Sequence, residues 1–450
     1  SSLSNLRELD GVDLGYAFSV ARTAFDDGRW ANLSATCRGK VLLKMAQLIR
    51  DNAREIAEWE TRQVGKPIRD AYDEVLTAAD CYEFYAGAAN KIYGHTIPVS
   101  ARGLDYTLRV PVGVVGLIVP WNFPFLITAW KVAPALAAGN SVLVKPASYT
   151  PLTALMLGPV SQQAGVPDGV LNIVPGPGRQ AGEALVTDPR VDKIAFTGET
   201  TTGTRILQLA APQIKRVSLE LGGKSPTIVF PDVNLQQVAQ WSVQSAYANS
   251  GQDCCARSRI LVHEAVVEEF TEHLVAFAGR MKIGDPLDPA ADMGPLVSAS
   301  HSRRIREFIQ EGVAVGARLA LDPKQAQTPG NGFYLGPAIF TDVPEDARIV
   351  REEIFGPVTT VQTFRTEEEA VRMANETPYG LSGSVFSRDI GQALRVANQV
   401  RSGVMSVNSI KSVHLEAPFG GFKKSGLGRE LGMEALDLYT EVKNVFVSLD

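Results

Sequence analysis

Short apolar runs, each followed by a segment of helical periodicity, recur through the first half of this chain and limit the folds that it can adopt. The runs lie at residues 114–120, 141–145, 170–174 and 193–197. A strand buried on both faces of a parallel sheet has this continuous apolar character, and a helix must return the chain before the next parallel strand begins. The pattern therefore predicts an α/β fold with a parallel sheet covered by helices.

A second block of the same kind is predicted after Gly251. A strand at 259–262 precedes a helix at 266–277, and apolar runs at 357–364 and 383–386 predict further strands. We therefore expect two parallel-sheet α/β domains.

The first 110 residues predict surface helices and a projecting hairpin. Apolar residues recur at helical spacing through 42–64 and 71–92, which predicts two long amphipathic helices. After Ile97 the pattern changes to strand-like alternation as far as Val110, with a turn signal at 102–103.

Composition excludes several classes of protein. The 450 residues are 45% hydrophobic and 21% charged, with a formal net charge of −5, which is typical of a globular protein and lacks the clustered basic charge of nucleic-acid binding. No apolar stretch approaches about 18 residues and segment 1–14 is polar, so we expect neither a membrane span nor a secretion signal. The four cysteines, two of them adjacent, suit neither a disulfide framework nor a zinc site, and predict the reducing cytoplasm and no bound metal.

Two thiols, Cys254 and Cys255, lie among small residues between a helix predicted at 235–249 and the strand at 259–262. A thiolate attacks carbonyl carbon well, and a neighbouring cation or helix dipole would activate it. Free cysteines are more often buried apolar side chains, so this segment alone favours the structural interpretation.

Glu220 is a carboxylate within a strand-like apolar run that ends at Gly222 and Gly223. Burial of a carboxylate without a partner is costly, so a raised pKa and a role as general base form one interpretation. A structural salt bridge with Lys224 is the other, and the local sequence does not choose between them.

Asn122 lies where a strand passes into a helix, which is the usual ligand-binding edge of a parallel sheet. Its amide could donate to a developing oxyanion, or it could cap a helix that begins at Phe123. Glycine-bearing strand ends follow at 174–178 and 196–203, where a helix N-terminus near Thr200 can face a phosphate. Neither matches the Gly-x-Gly-x-x-Gly fingerprint, and such glycines often simply form turns.

Together these segments resemble the aldehyde dehydrogenase superfamily over nearly the whole chain. They occur in the family's order, with its interval of 34 residues between Glu220 and Cys254. Further stretches at 144–148, 352–357 and 418–430 also match. Any one match could arise by chance, but the ordered set identifies the chain as a member of that family.

The resemblance implies a domain organisation. Residues 1–93 and 112–222 would form a Rossmann-like NAD(P)-binding domain, and residues 223–434 the catalytic domain. Residues 94–111 and 435–450 would form an oligomerisation segment from the projecting hairpin and a C-terminal strand. Exposed strand edges of this kind need partners, so a homodimer or homotetramer is expected.

The resemblance also implies oxidation of an aldehyde to its carboxylic acid with reduction of NAD or NADP. Cys254 matches the nucleophile, Glu220 the base that activates the hydrolytic water, and Asn122 the oxyanion donor beside the Cys254 backbone N–H. Lys145 belongs to both the catalytic and the cofactor-binding set, whereas Cys255 matches a position that is not the nucleophile. The implied steps are thiohemiacetal formation, hydride loss and hydrolysis of a thioester.

The cofactor-binding positions implied by the resemblance are Val119, Pro120, Trp121, Lys145, Ser148, Gly178, Phe196, Gly198, Glu199, Leu221, Glu353 and Phe355. Ser148 stands where NAD-preferring relatives often have Glu, and with Lys145 it leaves room and charge for a 2′-phosphate, so NADP is expected to be accepted. Glu199 stands where many relatives have Ser, and we expect its carboxylate to point away from the pyrophosphate.

The matched substrate positions predict an apolar or aromatic aldehyde, and they are Phe123, Trp130, Asp253, Val413 and Phe419. On the neighbouring loop, Lys411, His414 and Glu416 are expected to face solvent. Lys411 could instead bind a carboxylate, which would favour a semialdehyde.

Three other functions remain open from the sequence. A CoA-acylating dehydrogenase is one, although Glu220 argues against it because such enzymes tend to lack the base. A hydrolase that uses Cys254 and Glu220 without a nucleotide is another, and a structural or binding homologue without activity is the third.

Overall fold

The structure is a computed structural model that describes residues 11–450, apart from the side chain at position 12. The polar segment predicted at 1–14 therefore lies mostly outside the described residues. Within the described part of the chain, no helix is long and apolar enough to cross a membrane.

The strands of the described residues form three sheets. Their bounds are β1 (Thr96–Ile97), β2 (Gly103–Pro111), β3 (Val114–Ile118), β4 (Ser141–Lys145), β5 (Leu171–Ile173), β6 (Lys193–Thr197), β7 (Arg216–Glu220), β8 (Pro226–Val229), β9 (Arg259–His263), β10 (Arg318–Leu321), β11 (Ala338–Thr341), β12 (Val358–Phe364), β13 (Ser382–Phe386), β14 (Val404–Val407), β15 (Gly426–Leu427) and β16 (Thr440–Ser448).

Helices cover these sheets. Their bounds are α1 (Gly11–Asp26), α2 (Ala35–Asp51), α3 (Ala53–Val64), α4 (Ile68–Ala88), α5 (Pro124–Ala137), α6 (Leu152–Ala164), α7 (Glu183–Thr187), α8 (Thr200–Ala210), α9 (Leu235–Tyr247), α10 (Val267–Ala278), α11 (Ala299–Ala314), α12 (Arg348–Arg351), α13 (Glu367–Asn375), α14 (Ile390–Gln399) and α15 (Ala435–Leu438).

Two large sheets confirm the predicted α/β fold. One has the order β15-β7-β6-β3-β4-β5 and the other β10-β11-β12-β9-β8-β13-β14. Strands β3 to β7 pair in parallel, and so do strands β8, β9 and β11 to β14. The continuous apolar runs predicted these strands correctly because strands such as β3, β4 and β6 are buried along their whole length.

The first sheet places several predicted site residues at one edge. Lys145 is the last residue of β4 and is in register with Ile118 at the end of β3. Glu220 is the last residue of β7 and is in register with Thr197 of β6. Because parallel strands end at the same edge, their carboxyl ends create a common ligand-binding crevice.

A late segment returns to this edge through β15, which pairs antiparallel with β7. Gly426 has a φ of +149°, and a Cβ atom added there would lie 2.1 Å from the Leu219 carbonyl oxygen. Only glycine therefore allows this close backbone approach. As a result, the segment around 418–430 packs against the residue Glu220.

The domain bounds implied by the resemblance stay a prediction.

The single helix predicted at 42–64 is wrong, because the structure has the separate helices α2 and α3. Asn52 interrupts them with non-helical backbone angles (φ −106°, ψ 11°), and its side-chain amide donates to the Leu48 carbonyl oxygen at 2.7 Å. This bond offers the backbone an alternative to continued helix. The apolar periodicity continued across the break because both helices bury one face in the same core.

The third sheet contains the predicted hairpin. Strand β1 pairs antiparallel with β2, and β2 pairs with β16 from Gly103 opposite Ser448 to Pro111 opposite Thr440. Several apolar side chains on β2 and β16 are exposed, including Leu104, Leu108 and Val442.

Candidate active site

A cavity of about 740 Å³ opens at the carboxyl edge of the first sheet. Its wall includes Cys254, Glu220, Asn122 and Lys145. The same wall includes every predicted cofactor position, which are Val119, Pro120, Trp121, Lys145, Ser148, Gly178, Phe196, Gly198, Glu199, Leu221, Glu353 and Phe355. Residues that are far apart in the sequence therefore line the same cavity.

The loop before Cys254 makes an unusual turn. Asn249, Ser250 and Gly251 have φ values of +49°, +58° and +72°. The Asn249 side-chain amide stabilises the turn by donating to the carbonyl oxygens of Asn122 and Gln252, at 3.0 and 3.2 Å. A Cβ atom on Gly251 would lie 2.3 Å from the Gly356 carbonyl oxygen. Tight backbone packing thus fixes the segment that carries Cys254.

The two adjacent thiols have different surroundings. Cys254 is half-buried and lines the cavity, whereas Cys255 is buried and is not part of the cavity wall. The Cys255 backbone N–H donates to Asp253 Oδ1 at 2.8 Å, and its carbonyl oxygen accepts from Arg257 Nη1 at 3.1 Å. Arg257 is itself buried and donates to Ser384 Oγ at 2.7 Å. Cys255 is therefore held as part of the framework.

The surroundings of Cys254 favour its protonated form. Its hydrogen bond with the Cys255 side chain, its burial and the negative charges of Asp253 and Glu353 all raise its pKa well above the usual value. The expectation that a neighbouring cation or helix dipole activates this thiol is corrected, because every one of these influences disfavours the thiolate. A base must remove the proton when the thiol reacts.

Glu220 is buried without a partner. Among residues 11–450, neither of its carboxylate oxygens has a hydrogen-bond partner. Burial and the charge of Glu430 raise its pKa well above the usual value, although the cations Lys131 and Arg429 oppose this shift. A Cβ atom on Gly420 would lie 2.6 Å from Glu220 Oε1, so the glycine leaves room for the carboxylate.

The alternative of a Glu220–Lys224 salt bridge is wrong. Lys224 is buried, and its Nζ likewise has no hydrogen-bond partner within the part of the chain that the structure describes. Burial lowers the pKa of Lys224 to about 7. The charges that act on the pKa of Lys224 are those of Arg259, Glu353 and Glu352.

The helix-capping alternative for Asn122 is also wrong. Helix α5 begins at Pro124, and Phe123 occupies the cap position without a side-chain cap bond. The buried Asn122 amide instead donates from Nδ2 to the Gln252 carbonyl oxygen at 3.0 Å. An amide nitrogen carries two hydrogens, so this bond orients the group and leaves one N–H to donate elsewhere.

The cavity wall also carries cationic and hydroxyl groups. Lys145 is buried at the end of β4, and Ser148 Oγ donates to the Gly176 carbonyl oxygen at 3.4 Å. Arg179 and Arg205 also line the cavity, and Arg205 pairs with Glu183 at 3.2 Å. The Arg179 side chain was missed by sequence reasoning, although it directly follows the predicted Gly178.

Glu199 precedes helix α8 at the cavity rim. Its side chain is 55% exposed, and its Oε1 lies 3.7 Å from Arg304 Nη1. Both Glu199 and Arg304 also line the cavity, and the expected direction of the carboxylate relative to a pyrophosphate stays a prediction. The sequence did not predict Arg304 as the partner of Glu199.

The predicted substrate residues are not part of this cavity wall. Trp130 and Phe419 are buried with ring centroids 5.4 Å apart, and Phe123 and Val413 pack with Cys254 against the same apolar core. Burial raises the pKa of Asp253. On the neighbouring loop, the exposed side chains are Lys411, His414 and Glu416.

Comparison with known proteins decides the family. The family model described as the aldehyde dehydrogenase family matches residues 2–445. The chain belongs to the aldehyde dehydrogenase family. It is 42% identical to a betaine aldehyde dehydrogenase of Bacillus subtilis over 96% of this chain and 88% of the relative. It is 44% identical to an aldehyde dehydrogenase of Aspergillus niger over 99% of this chain and 89% of the relative.

A solved structure supports the same conclusion. The NAD⁺ complex of an aldehyde dehydrogenase from Bacillus cereus superposes with a TM-score of 0.96 at 41% identity, covering 98% of this chain and 90% of that one. This aldehyde dehydrogenase is therefore an NAD(P)-dependent aldehyde oxidoreductase, and the family recognised from its motifs is confirmed.

One further residue of this aldehyde dehydrogenase was missed from the sequence. His301 lines the cavity near Glu353 and Phe355, and its ring lies 5.4 Å from that of Trp121, measured between centroids. It is the third residue of helix α11. A single histidine in an amphipathic helix carries no local signal, so only the fold brings it to the site.

Proposed function

We propose that this enzyme oxidises its aldehyde through a covalent bond to Cys254, with Asn122 as oxyanion donor and Glu220 as base. The observation that carries the proposal is that these three side chains line one cavity together with all the predicted cofactor positions. A hydrolase with only Cys254 and Glu220 would not need the rest of that cavity.

The first step uses the Cys254 sulfur. Its proton leaves to a base, and the sulfur attacks the carbonyl carbon, so that a C–S bond forms and the carbonyl oxygen becomes an oxyanion. The remaining Asn122 Nδ2–H and the Cys254 backbone N–H would donate to that oxygen. A donor held in place before the reaction stabilises developing charge at little reorganisation cost.

The second step completes the oxidation. When bound, the nicotinamide cofactor would supply the hydride acceptor, so that the carbonyl could re-form and leave a thioester on Cys254. Glu220 then removes a proton from water, whose oxygen attacks the thioester carbon. The C–S bond breaks, the carboxylic acid leaves and the sulfur is regenerated.

The residues present fit a dinucleotide. Thr201 and Thr202 of the first turn of α8 line the cavity, and Glu199 makes no side-chain cap bond, so the start of this helix is available for a phosphate. Glu353 presents a carboxylate that accepts from the Gly223 N–H at 3.0 Å, and burial raises its pKa to about 7. Such a carboxylate can bind ribose hydroxyls.

We also propose that NADP is accepted. The Ser148 hydroxyl donates to the Gly176 carbonyl oxygen at 3.4 Å. Unlike a glutamate side chain at this position, it carries no negative charge. Lys145 and Arg179 both line the cavity. A 2′-phosphate would meet cations there and no carboxylate at position 148.

Apolar or aromatic aldehydes are the proposed substrates. The aromatic pair Trp130–Phe419 and the half-buried Phe123 belong to the same apolar cluster against which Cys254 packs. Betaine aldehyde is a second candidate, because aromatic faces attract quaternary ammonium groups and a relative carries that name. The exposed Lys411 supports a semialdehyde less well, and the intact Glu220 argues against CoA acylation.

We further propose a homodimer or homotetramer in the cytoplasm. Strand β16 pairs with β2 on one side, and exposed apolar side chains such as Phe446 and Val447 lie along it. An unpaired edge of this kind favours association with a second copy. The four cysteines are free thiols, which suits a reducing compartment. Light scattering that gives only a monomer mass would contradict the assembly.

The deciding experiment is a panel of aldehydes assayed with NAD and with NADP by the absorbance of the reduced nicotinamide. The panel contains benzaldehyde, hexanal, betaine aldehyde and succinic semialdehyde. We expect turnover without CoA, the highest kcat/KM for an uncharged aldehyde, and activity with both nucleotides. Turnover only when CoA is added would refute the hydrolytic mechanism, and a preference for the semialdehyde would refute the substrate class.

A further inference from the structure

His301 contacts the backbone of a predicted cofactor residue. Its Nε2 lies 2.8 Å from the Phe355 carbonyl oxygen. The rings of His301, Phe355 and Trp121 also pack edge-on, with Trp121 centroid distances of 5.4 Å to His301 and 5.2 Å to Phe355. All three side chains line the cavity.

Phe355 has a backbone conformation that a bulky residue rarely adopts. Its φ is +62°, in the left-handed region where the Cβ atom of an L-residue is crowded. Such a conformation persists only where the surroundings hold it, and it is typical of ligand-binding segments. The hydrogen bond from His301 is a direct contact to this strained peptide unit.

The helix that carries His301 is fixed at its beginning. Ser298 Oγ accepts the His301 backbone N–H at 3.2 Å, which caps helix α11. One residue earlier, the Val297 backbone N–H donates to Gln252 Oε1 at 3.0 Å. Because Gln252 also accepts from Asn122, the start of α11 is tied to the nucleophile loop.

We propose that His301 is a positioning residue for the cofactor, which holds the strained Phe355 backbone so that the Phe355 ring contacts the nicotinamide ribose. The proposal rests on the proposed cofactor site. Burial lowers the pKa of His301, and nearby Arg304 lowers it further, so the imidazole is neutral near pH 7. The Phe355 carbonyl oxygen selects the tautomer with the hydrogen on Nε2.

Two substitutions separate the hydrogen bond from the ring. His301→Gln keeps an N–H at the same number of bonds from Cα but removes the ring, whereas His301→Phe keeps a ring beside Trp121 but removes the donor. His273→Gln is the matched control, because His273 is on α10, where it pairs with Glu269 at 3.8 Å, and it is not part of the cavity wall. Calorimetric titration of the apoenzyme with NAD⁺ alone gives the dissociation constant without turnover.

We expect His301→Phe to bind NAD⁺ roughly tenfold more weakly, since one partly buried hydrogen bond is lost. The same variant should raise the KM for NAD⁺ more than it changes kcat, while His301→Gln and His273→Gln stay close to the wild type. Thermal unfolding of each variant shows whether it is folded.

The binding measurements test the role of His301 separately from the cofactor site. If His301→Phe binds NAD⁺ like the wild type, or if His301→Gln is as weak as His301→Phe, the positioning role is wrong and the cofactor site stands. If the wild-type enzyme itself shows no saturable NAD⁺ binding, both the proposed site and the role of His301 are wrong. If His301→Phe is unfolded, equal binding by His301→Gln and wild type supports the role, and weaker binding by His301→Gln overturns it.

Discussion

The carboxylate of Glu353 lies directly against Gly222, where a Cβ atom would come within 2.1 Å of Glu353 Oε2. The next residue, Gly223, donates its backbone N–H to the other oxygen at 3.0 Å. Gly222 also follows Glu220 by two positions at the end of β7. One short glycine turn therefore places the proposed base and the proposed ribose contact relative to each other.

Replacing Gly222 by alanine should displace Glu353. The added methyl group cannot share the space of the carboxylate, and the backbone around Glu220 limits how far the turn can move. We expect the KM for NAD⁺ to rise about tenfold, which corresponds to the loss of one charged hydrogen bond. Initial-rate kinetics at saturating aldehyde measure this. Gly158→Ala in helix α6 is the control, because nothing lies within 4 Å of the added Cβ atom. An unchanged KM in Gly222→Ala would contradict the role of the turn.

The two adjacent cysteines should respond differently to serine substitution. Cys254→Ser should lose NADH formation by roughly a thousandfold or more, because an alcohol is a much weaker nucleophile than a thiolate at neutral pH. Cys255→Ser should retain most of its activity, since backbone bonds to Asp253 and Arg257 hold that residue in place. Equal losses in the two variants would refute the assignment of Cys254.

Introducing a carboxylate at position 148 should lower the catalytic efficiency of the enzyme with NADP. Ser148→Glu places a negative charge where the 2′-phosphate is proposed to bind, so kcat/KM with NADP should fall about a hundredfold while that with NAD is kept. Ser148→Gln is the uncharged control of the same size and should change the NADP value much less. Equal losses with both nucleotides in Ser148→Glu would mean that the ribose does not lie beside this residue.

The sequence predicted those features whose signal is local. Buried parallel strands such as β4 are continuous apolar runs, and the motifs around Glu220 and Cys254 have a fixed spacing. The break between α2 and α3 escaped prediction because one apolar face continues through Asn52, and hydrogen bonding rather than burial ends the first helix.

The surroundings of the site escaped prediction for a different reason. Gly420 makes room for Glu220 although the two lie 200 positions apart in the sequence, and His301 reaches Phe355 across 54 positions. Such contacts depend on how the sheets and loops pack, which local periodicity does not encode. The raised pKa of Cys254 is another example, because it follows from three negative or hydrogen-bonding neighbours and from burial.

The buried Lys131–Glu430 ion pair should set the pH at which Glu220 works. Lys131 Nζ pairs with Glu430 Oε1, and both side chains are buried. Glu430 raises the pKa of Glu220, whereas Lys131 lowers it. Because Glu220 must lose its proton to act as a base, thioester hydrolysis should increase as the pH rises through this elevated pKa.

Substituting either partner should move this profile in opposite directions. Glu430→Gln removes a negative charge and leaves the Lys131 charge uncompensated, so the pKa of Glu220 falls and the acid limb shifts to lower pH by about one unit. Lys131→Met leaves Glu430 unopposed and shifts the limb to higher pH. Each single change also destabilises the fold by about 3–5 kcal/mol, because it leaves one buried charge unpaired. The double variant Lys131→Met/Glu430→Gln has no unpaired charge and should fall between the two. Single-turnover hydrolysis of the acyl-enzyme across pH measures all three, and shifts of the same sign in both single variants would show that this pair does not tune Glu220.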